Sequence, residues 1–494
     1  MKYIVSLVFL FLSVLCQGQS YVLKESEITE KYYPHRYFRL EGGRFADLRF
    51  SEGWKDPATL RIYDGALKQL ASYSIAETED ARFESGCLAG QSLLLGFTDK
   101  KKDVLAYAVN PKDGRARLIT TLVNDNAGDA MVRTGVSPDS MHFFMMVRFR
   151  KKKASIYKGL ILDRQLGAIN TFSTSVDETG GPVEEISYVL ANDGTFSIIN
   201  AVGSPSKEPY IPLVYAITQV SSAGKVSTGT LKGIPEGLFD NVVWQGNGSD
   251  LSFTGFLGVT RKSGFSSIVT GVYHAQQPVA DLKEYALTED IPYSAGLLTV
   301  HRDANNALTI ILVEGAYDSD TWSFLKKTYC AEAIAPSVSS VYSSTKVTYF
   351  GNGAAHMVRF RSDGSLYWVR SVQKNQEERS RFIYAGVAPL FTADGGIRLF
   401  FQDSRESRQP GGTKHTHVLL PGRKTIGLAC VTILADGKLA KKEFLDSYVE
   451  NDPSGFFFSP DGAISDGASK IIYMWFDMHN VGRSEYRVGS ITVE

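Results

Sequence analysis

Phe143-Phe144-Met145-Met146-Val147 is an apolar run, Arg148-Phe149-Arg150-Lys151-Lys152-Lys153 a basic stretch, Ala154 to Leu162 a second apolar run, and a tight turn follows at Gly167. Each apolar run has the length of a buried strand rather than a helix, and the polar stretch between them reads as the connection of a hairpin. Working outward, the same strand–loop–strand–turn unit recurs along the chain. Phe45 to Phe50 and Thr59 to Tyr63 flank one loop, Leu93 to Phe97 and Val104 to Val109 the next, and Phe196 to Ala201 and Ile211 to Ile217 a further one. Leu251 to Val259 pairs in the same way with Ser266 to Tyr273, Leu308 to Val313 with His356 to Phe360, Ile397 to Phe401 with Gly427 to Leu434, and Ile471 to Phe476 with Tyr486 to Val493.

The turns that close these units carry a physical reason. Asp64-Gly65, Asp113-Gly114, Gly224-Lys225, Asp363-Gly364 and Asp436-Gly437 accept the positive φ that short hairpin turns need to match strand twist, and Gln277-Pro278 takes the equivalent place in the fifth unit. An apolar strand precedes each hairpin, such as Met131 to Val136 before Ser137-Pro138-Asp139 or Gly455 to Phe458 before Ser459-Pro460-Asp461-Gly462. Another strand follows, such as Leu366 to Val372 or Leu439 to Phe444. Four strands per unit at a period of roughly 47 to 87 residues is the signature of a β-propeller blade. The fold class expected is therefore all-β, a β-propeller of eight four-stranded blades, with seven blades as the alternative. The eighth unit lacks its fourth strand, and Tyr21 to Ile28 is placed to supply it and close the ring. A pair of β-sandwich domains would need a linker near the middle of the chain, and none is visible.

Composition bounds the function. The 494 residues are 43% hydrophobic, with 53 Lys+Arg against 53 Asp+Glu, so no bulk charge draws the chain to nucleic acid and any electrostatic preference is local. Lys2 followed by the apolar run Ile4 to Leu15 and by Cys16-Gln17-Gly18 reads as a signal peptide over residues 1–18, with the mature chain beginning near Gln19. A lipidated Cys16 is the alternative, although Leu15 is bulkier than such sites normally accept. No other run approaches the ~20 apolar residues of a transmembrane helix, so the product is expected to be exported, periplasmic or extracellular, and monomeric. Residues 19–494 are then a single propeller domain with insertions at about 314–355 and 402–425. Cys87, Cys330 and Cys430 allow one disulfide at most, which excludes a disulfide-built scaffold.

The hairpins His356 to Trp368 and Val431 to Lys438 resemble repeats of secreted bacterial β-propellers of the Bacteroidota type, and the signal segment ending Gln17-Gly18-Gln19 is similar to theirs. The Ser-Pro-Asp turns at Ser137 and Ser459 also resemble propellers of the TolB and WD40-like kind. The resemblance covers most of the mature chain at the level of architecture and brings no functional residue with it.

In a propeller the connections from second to third strand share one face with the blade-to-blade links. Those connections are rich in cations: Lys55, Lys100 to Lys102, Arg148, Arg150, Lys151, Lys152, Lys153, Lys207, Arg261 and Lys262, then Arg405, Arg408, Lys414, Arg423, Lys424 and Arg483. A basic concave face concentrates anions. The two longest connections carry Tyr317, Asp318, Asp320, Trp322, Lys326 and Lys327 in one and Arg405, Arg408, His415 and His417 in the other, and long connections in compact folds are where binding residues gather. The first reading is a binding or scaffold propeller that captures an anionic or extended ligand, such as an acidic glycan, a cell-surface polymer or a protein segment. The ligand residues expected are Arg148, Arg150, Lys151, Lys152, Lys153, Arg261, Lys262, Trp322, Arg405, Arg408, His415 and His417. The alternative is an exported glycan- or peptide-acting hydrolase or lyase with its acid and base among Asp318, Asp320, Asp403 and Glu406.

Other motifs weigh little. His415-Thr416-His417 has a metal-compatible spacing but no evident third ligand, so no metal and no cofactor is expected. His142, His274, His301, His356 and His479 are scattered and read as structural. Ser362-Asp363-Gly364 with Trp368 lacks the residue that a sialidase-type Asp box has between Asp and Gly, and a single Gly-x-x-x-Trp spacing cannot build a quinoprotein girdle. No nucleophile elbow, Walker loop, His-Glu-x-x-His or Cys-x-x-Cys is present.

Overall fold

The computed structural model describes residues 21–25, 30–31, 35–50, 56–124, 130–151, 154–177, 183–203, 212–235, 237–258, 264–274, 279–292, 295–316, 349–374, 376–379, 387–404, 416–417, 426–445, 456–465, 469–477 and 485–493. They form eight antiparallel sheets built on four strands each, arranged as the blades of a propeller. Blade 1 spans residues 35–75, blade 2 81–122, blade 3 130–177, blade 4 183–231, blade 5 238–291, blade 6 295–372, blade 7 388–444 and blade 8 456–493. All eight hairpins read from the sequence are the second and third strands of these blades. The first strands of neighbouring blades touch, blade 8 meeting blade 1 through Phe456–Ser465 and His35–Arg39, so the first strands surround the axis.

The ring is closed by the N-terminal strand. Tyr21–Glu25 pairs antiparallel with Glu485–Val493, from Tyr21 opposite Val493 to Glu25 opposite Gly489, and becomes the outermost strand of blade 8. The expected strand is thus present, ending at Glu25 among the described residues.

Burial follows from the ring. Second strands have a neighbouring sheet on both sides and are buried along nearly their whole length, as in Ser92–Asp99 and in Phe45–Arg49, where the buried Arg49 donates to Asp47 at 2.8 Å. Outer strands splay apart and alternate, as Gln69–Ile75 does. Eight apolar clusters result, one at each blade–blade interface, in place of a single core. In the opening stretch, Phe143, Met145, Val147 and Phe149 pack toward blade 2 while Phe144 and Met146 pack toward blade 4.

Two local readings change. The strand that begins at Phe143 does not stop at Val147 but runs on to Lys151, where Lys151 pairs with Ala154. Phe149, fully buried, holds the chain in the sheet two residues beyond the apparent end of the apolar run, so Arg148 and Arg150 are strand residues rather than loop residues. The Ser459-Pro460-Asp461 segment is likewise no turn. It lies inside the strand Phe456–Ser465, whose register shifts between Ser459 and Ile464. Pro460 has no N–H to give the ladder, and a bulge accommodates it.

The Gly turns do a second job. Gly114, Gly224, Gly364 and Gly437 take φ between 70° and 81° as expected. In blades 1 and 3 the equivalent left-handed position is held instead by Leu67 and Leu166, both buried. Several turns also receive a side chain from the outer strand of the preceding blade. Tyr73 donates its hydroxyl to the Lys112 carbonyl at 2.6 Å beside Gly114, and Tyr285 reaches the Gly364 carbonyl at 3.0 Å. Trp368 lies on Gly437 with its indole N–H on the Ala435 carbonyl at 3.0 Å. Cys87 and Cys430 are free thiols, and burial pushes the Cys87 pKa up to about 12, which leaves it unreactive.

Candidate functional site

The alternation of strand directions puts the second-to-third connections and the blade-to-blade links on one face, and three features stand there. The first is the predicted basic rim. Of the twelve predicted ligand residues, Arg148 is the one whose side chain is described. Its guanidinium donates to the Ser155 hydroxyl at 3.0 and 2.7 Å and lies 6.0 Å from the Tyr157 ring centre, and Tyr157 in turn donates to Asn200 of blade 4 at 2.5 Å. Arg148 is therefore half-buried in the blade 3–blade 4 seam. Arg150 and Lys151 are placed by backbone in the same strand, and His417 by backbone in the two-residue strand Thr416–His417. Lys152, Lys153, Arg261, Lys262, Trp322, Arg405, Arg408 and His415 lie outside the described residues. In blade 2 the rim is ordered by Asp99, whose carboxylate accepts the backbone N–H of Lys101 and of Asp103, both at 2.9 Å. Lys100 beside it pairs with Asp80 at 2.8 Å, an exposed contact of little energetic weight.

The second feature was not read from the sequence. The first strands of blades 1 to 3 carry Arg36, Arg82 and Arg133 along the channel wall, where Arg82 pairs with Glu84 at 2.7 Å. Burial raises the Glu84 carboxyl, opposed by Arg82 and more weakly by Arg133. A bond of 2.9 Å between the Ser85 and Thr134 hydroxyls joins blades 2 and 3 just below. Three guanidiniums thus stand on consecutive first strands, one of them paired with Glu84. The signal in the sequence is one or two Arg in each of these pre-hairpin strands, which reads as solvation until the strands are placed at the axis.

The third feature lies at blades 6 and 7, where the two long connections begin and end. The third strand of blade 6, Tyr349–Phe360, extends beyond the blade and pairs with Gln376–Arg379. That short strand pairs in parallel with Thr416–His417 from the long connection of blade 7, Gln376 opposite Thr416 and Glu377 opposite His417. Described ends of the two long connections therefore share one ladder. Beside this bridge sits a buried ionisable group of residues. Asp403 pairs with Lys442 at 2.5 Å, both almost wholly buried, and the Lys442 ammonium also lies about 6 Å from the Phe401 and Phe444 rings. Lys374, just after the outer strand of blade 6, is 2% exposed. Burial pulls its pKa down to about 7, against the opposing attraction of Asp403 and Glu314. Glu314 accepts from His356 Nε2 at 2.7 Å, and His356 Nδ1 lies 2.8 Å from the Ser371 hydroxyl, which donates to Glu289 of blade 5 at 3.2 Å. Gly353 leaves room for Glu314, since a Cβ there would clash with its carboxylate.

Of the four carboxylates read as a possible acid and base, Asp403 is described and is engaged with Lys442, while Asp318, Asp320 and Glu406 lie outside the described residues. Among the described residues no three His, Cys, Asp or Glu side chains cluster as a metal site, and no helix is long and apolar enough to cross a membrane. A cavity of about 360 Å³, lined by residues such as Gln91, Ser92, Arg164 and Leu166, opens between turns on the opposite face and holds none of these groups.

No protein-family model matches the sequence, and no curated protein matches it. Solved structures with a similar fold include one from a study of two prolyl endopeptidases, at 11% identity and a TM-score of 0.42, covering 91% of this chain and 55% of that one, so the chain spans about half its length. An oligogalacturonate lyase in complex with manganese aligns at 10% identity and a TM-score of 0.39 over 96% of both chains. The β-propeller domain of the Trilobed protease from Pyrococcus furiosus aligns at 12% identity and a TM-score of 0.38, over 86% of this chain and all of that one. At these identities the likeness concerns the fold alone.

Proposed function

We propose that the chain is a ligand-binding β-propeller that captures an anionic, extended ligand across the face of its second-to-third connections and the mouth of its channel. The observation that supports this reading is the placement of Arg36, Arg82 and Arg133 on the first strands of three consecutive blades, with Arg82 paired to Glu84. Guanidiniums hold carboxylates and sulfates in a two-pronged geometry that ammonium groups lack. A ring wall of low dielectric strengthens their field over what an open surface would give. The cation-rich rim read from the sequence extends the same sign outward. With residues 1–18 as an export signal, the ligand would be met in the periplasm or outside the cell, by a monomer.

The test is binding of a sulfated glycan, a uronate-rich glycan and a neutral glycan at rising salt. The acidic polymers should bind and weaken as the screening length falls below ~10 Å near 0.1 M salt. The double variant R82Q/R133Q should weaken them about tenfold, which corresponds to ~1.4 kcal/mol. Binding that ignores salt, or prefers the neutral polymer, would overturn the proposal. The hydrolase or lyase reading is second, resting on Asp403 beneath the converging regions of blades 6 and 7. Its lysine partner is what a structural ion pair would also have.

A further inference from the structure

Three adjacent strands of blade 6 bring a glutamate, a histidine and a serine into line on the side that meets blade 5. Leu312 of the second strand pairs with His356 of the third, and His356 pairs with Ser371 of the outer strand. Glu314 lies two residues beyond Leu312 and so shares its facing. His356 is 3% exposed, and both of its ring nitrogens are engaged. Nε2 lies 2.7 Å from Glu314 Oε1, and Nδ1 lies 2.8 Å from Ser371 Oγ. Ser371 is half-buried near the end of its strand, where the exposed Glu289 of blade 5 stands 3.2 Å away.

The proton positions follow from the partners. An ionised carboxylate only accepts, so Nε2 carries the hydrogen given to Glu314, and the neutral ring keeps its lone pair at Nδ1. The Ser371 hydroxyl proton then stands between two acceptors, Nδ1 and the Glu289 carboxylate. A hydroxyl against a basic nitrogen, on a ring whose other nitrogen is held by a carboxylate, is the arrangement that activates a serine nucleophile. Here it is built on strands of one ladder, which fixes its geometry better than loops would. We propose that Ser371 is the nucleophile of an esterase site, with His356 as its base and Glu314 as the positioning residue that sets the ring's tautomer. The inference goes beyond the binding reading and does not rest on it.

The step balances with water as the only co-reactant. Ser371 Oγ attacks the ester carbonyl carbon while its proton passes to His356 Nδ1. The C–O bond to the alcohol breaks, and the proton on Nδ1 goes to the departing oxygen. Water then gives a proton to the same nitrogen and adds to the acyl-serine. The acid leaves, and Oγ takes the proton back. The charges around the serine narrow the substrate: Glu289 and Glu314 disfavour an anionic acyl group and suit a neutral or cationic one.

The experiment uses the full chain with two probes, a fluorophosphonate and p-nitrophenyl acetate. Ser371 should displace fluoride from the first, with the adduct found on it by peptide mass spectrometry, and should release p-nitrophenol from the second with turnover. S371A should lose both while melting at the wild-type temperature. H356Q should slow both by about 10²–10⁴-fold, the contribution of a placed general base. E314Q should slow labelling by about tenfold or more yet still reach full stoichiometry, which separates a misoriented base from a misfolded fraction. Wild type should turn over the acetate ester faster than the anionic p-nitrophenyl hemisuccinate. No adduct at Ser371, turnover that survives S371A, labelling of H356Q at the wild-type rate, or a preference for the anionic ester overturns the proposal.

Discussion

Gly364 and Gly437 occupy the same turn position in consecutive blades, with φ of 78° and 81°, yet alanine should be tolerated at one and not the other. At Gly364 an added Cβ meets nothing within 4 Å. Its cost is the left-handed conformation alone, about 1–2 kcal/mol, less the ~0.4–1 kcal/mol by which alanine restricts the unfolded chain. G364A should therefore lose about 1 kcal/mol. At Gly437 the same Cβ would stand 2.7 Å from Cγ of Trp368 and 2.8 Å from Cδ2. These atoms belong to a ring that is 5% exposed and packed against blade 7. The indole must move, which strains its bond to the Ala435 carbonyl and the neighbouring bond of 2.8 Å from Arg370 Nε to the Gly437 carbonyl. Overpacking of about 1–3 kcal/mol adds to the conformational cost, and an unpaired buried N–H adds about 1–3 kcal/mol if the indole bond breaks. G437A should lose about 2–4 kcal/mol if the indole bond survives and about 3–7 kcal/mol if it breaks. Urea denaturation followed by tryptophan fluorescence measures both variants in the same buffer. Equal losses would refute the reasoning, because they would mean that the turn's conformation, and not the indole seated on it, fixes the glycine.

Other expectations follow from ring closure and buried charge. Deleting residues 21–25 strips the outer strand from blade 8 and should cost about 1 kcal/mol for each ladder hydrogen bond removed, with self-association through the bared edge visible by size-exclusion chromatography. K374M should change the pH dependence of global stability. The folded-state pKa is depressed to about 7, so between that value and 10.5 the unfolded chain carries one more proton than the folded one. Wild-type stability should then rise with pH by ~1.4 kcal/mol per unit relative to the variant, and the two should run parallel below pH 7. Guanidinium chloride melts at pH 6, 8 and 10 measure this, and curves that stay parallel up to pH 10 would remove Lys374 as an unusual group.

The hairpins were legible because each carries its own local instructions. Val104 to Val109 followed by Asp113-Gly114 states a strand and its turn within a dozen residues, and Leu439 to Phe444 is the outer strand found. The closing strand is legible for a different reason: the last unit is one strand short, and Tyr21 to Ile28 at the N-terminus can supply it. What the pattern could not convey was where a strand with a charged residue in it would sit. Arg82 and Arg133 look like solvated positions in short strands, and only the axis of the ring turns them into a wall. The end of the Phe143 strand is hidden in the opposite way, because Arg148 and Arg150 read as loop charges while the buried Phe149 between them anchors the strand.

The blade 6–blade 7 group shows the deeper reason. Glu314, His356, Lys374, Asp403 and Lys442 belong to five separate segments, each polar at the end of an apolar run or in an outer strand, and none is unusual alone. Their meeting depends on two registers at once: the pairing of His356 with Ser371 inside blade 6, and the angular packing of blade 7 against it. Local sequence specifies the first through hydrophobic alternation. The second arises only when eight such sheets share an axis, so an interface-borne ion group leaves no mark that a repeat search can find. That is also why Asp403 was readable as an acidic residue near the converging connections, but not as the partner of a lysine 39 positions away. Function in this chain therefore has to be sought where blades meet, and two of the groups whose acidity folding shifts, Lys374 and Glu84, stand at such seams.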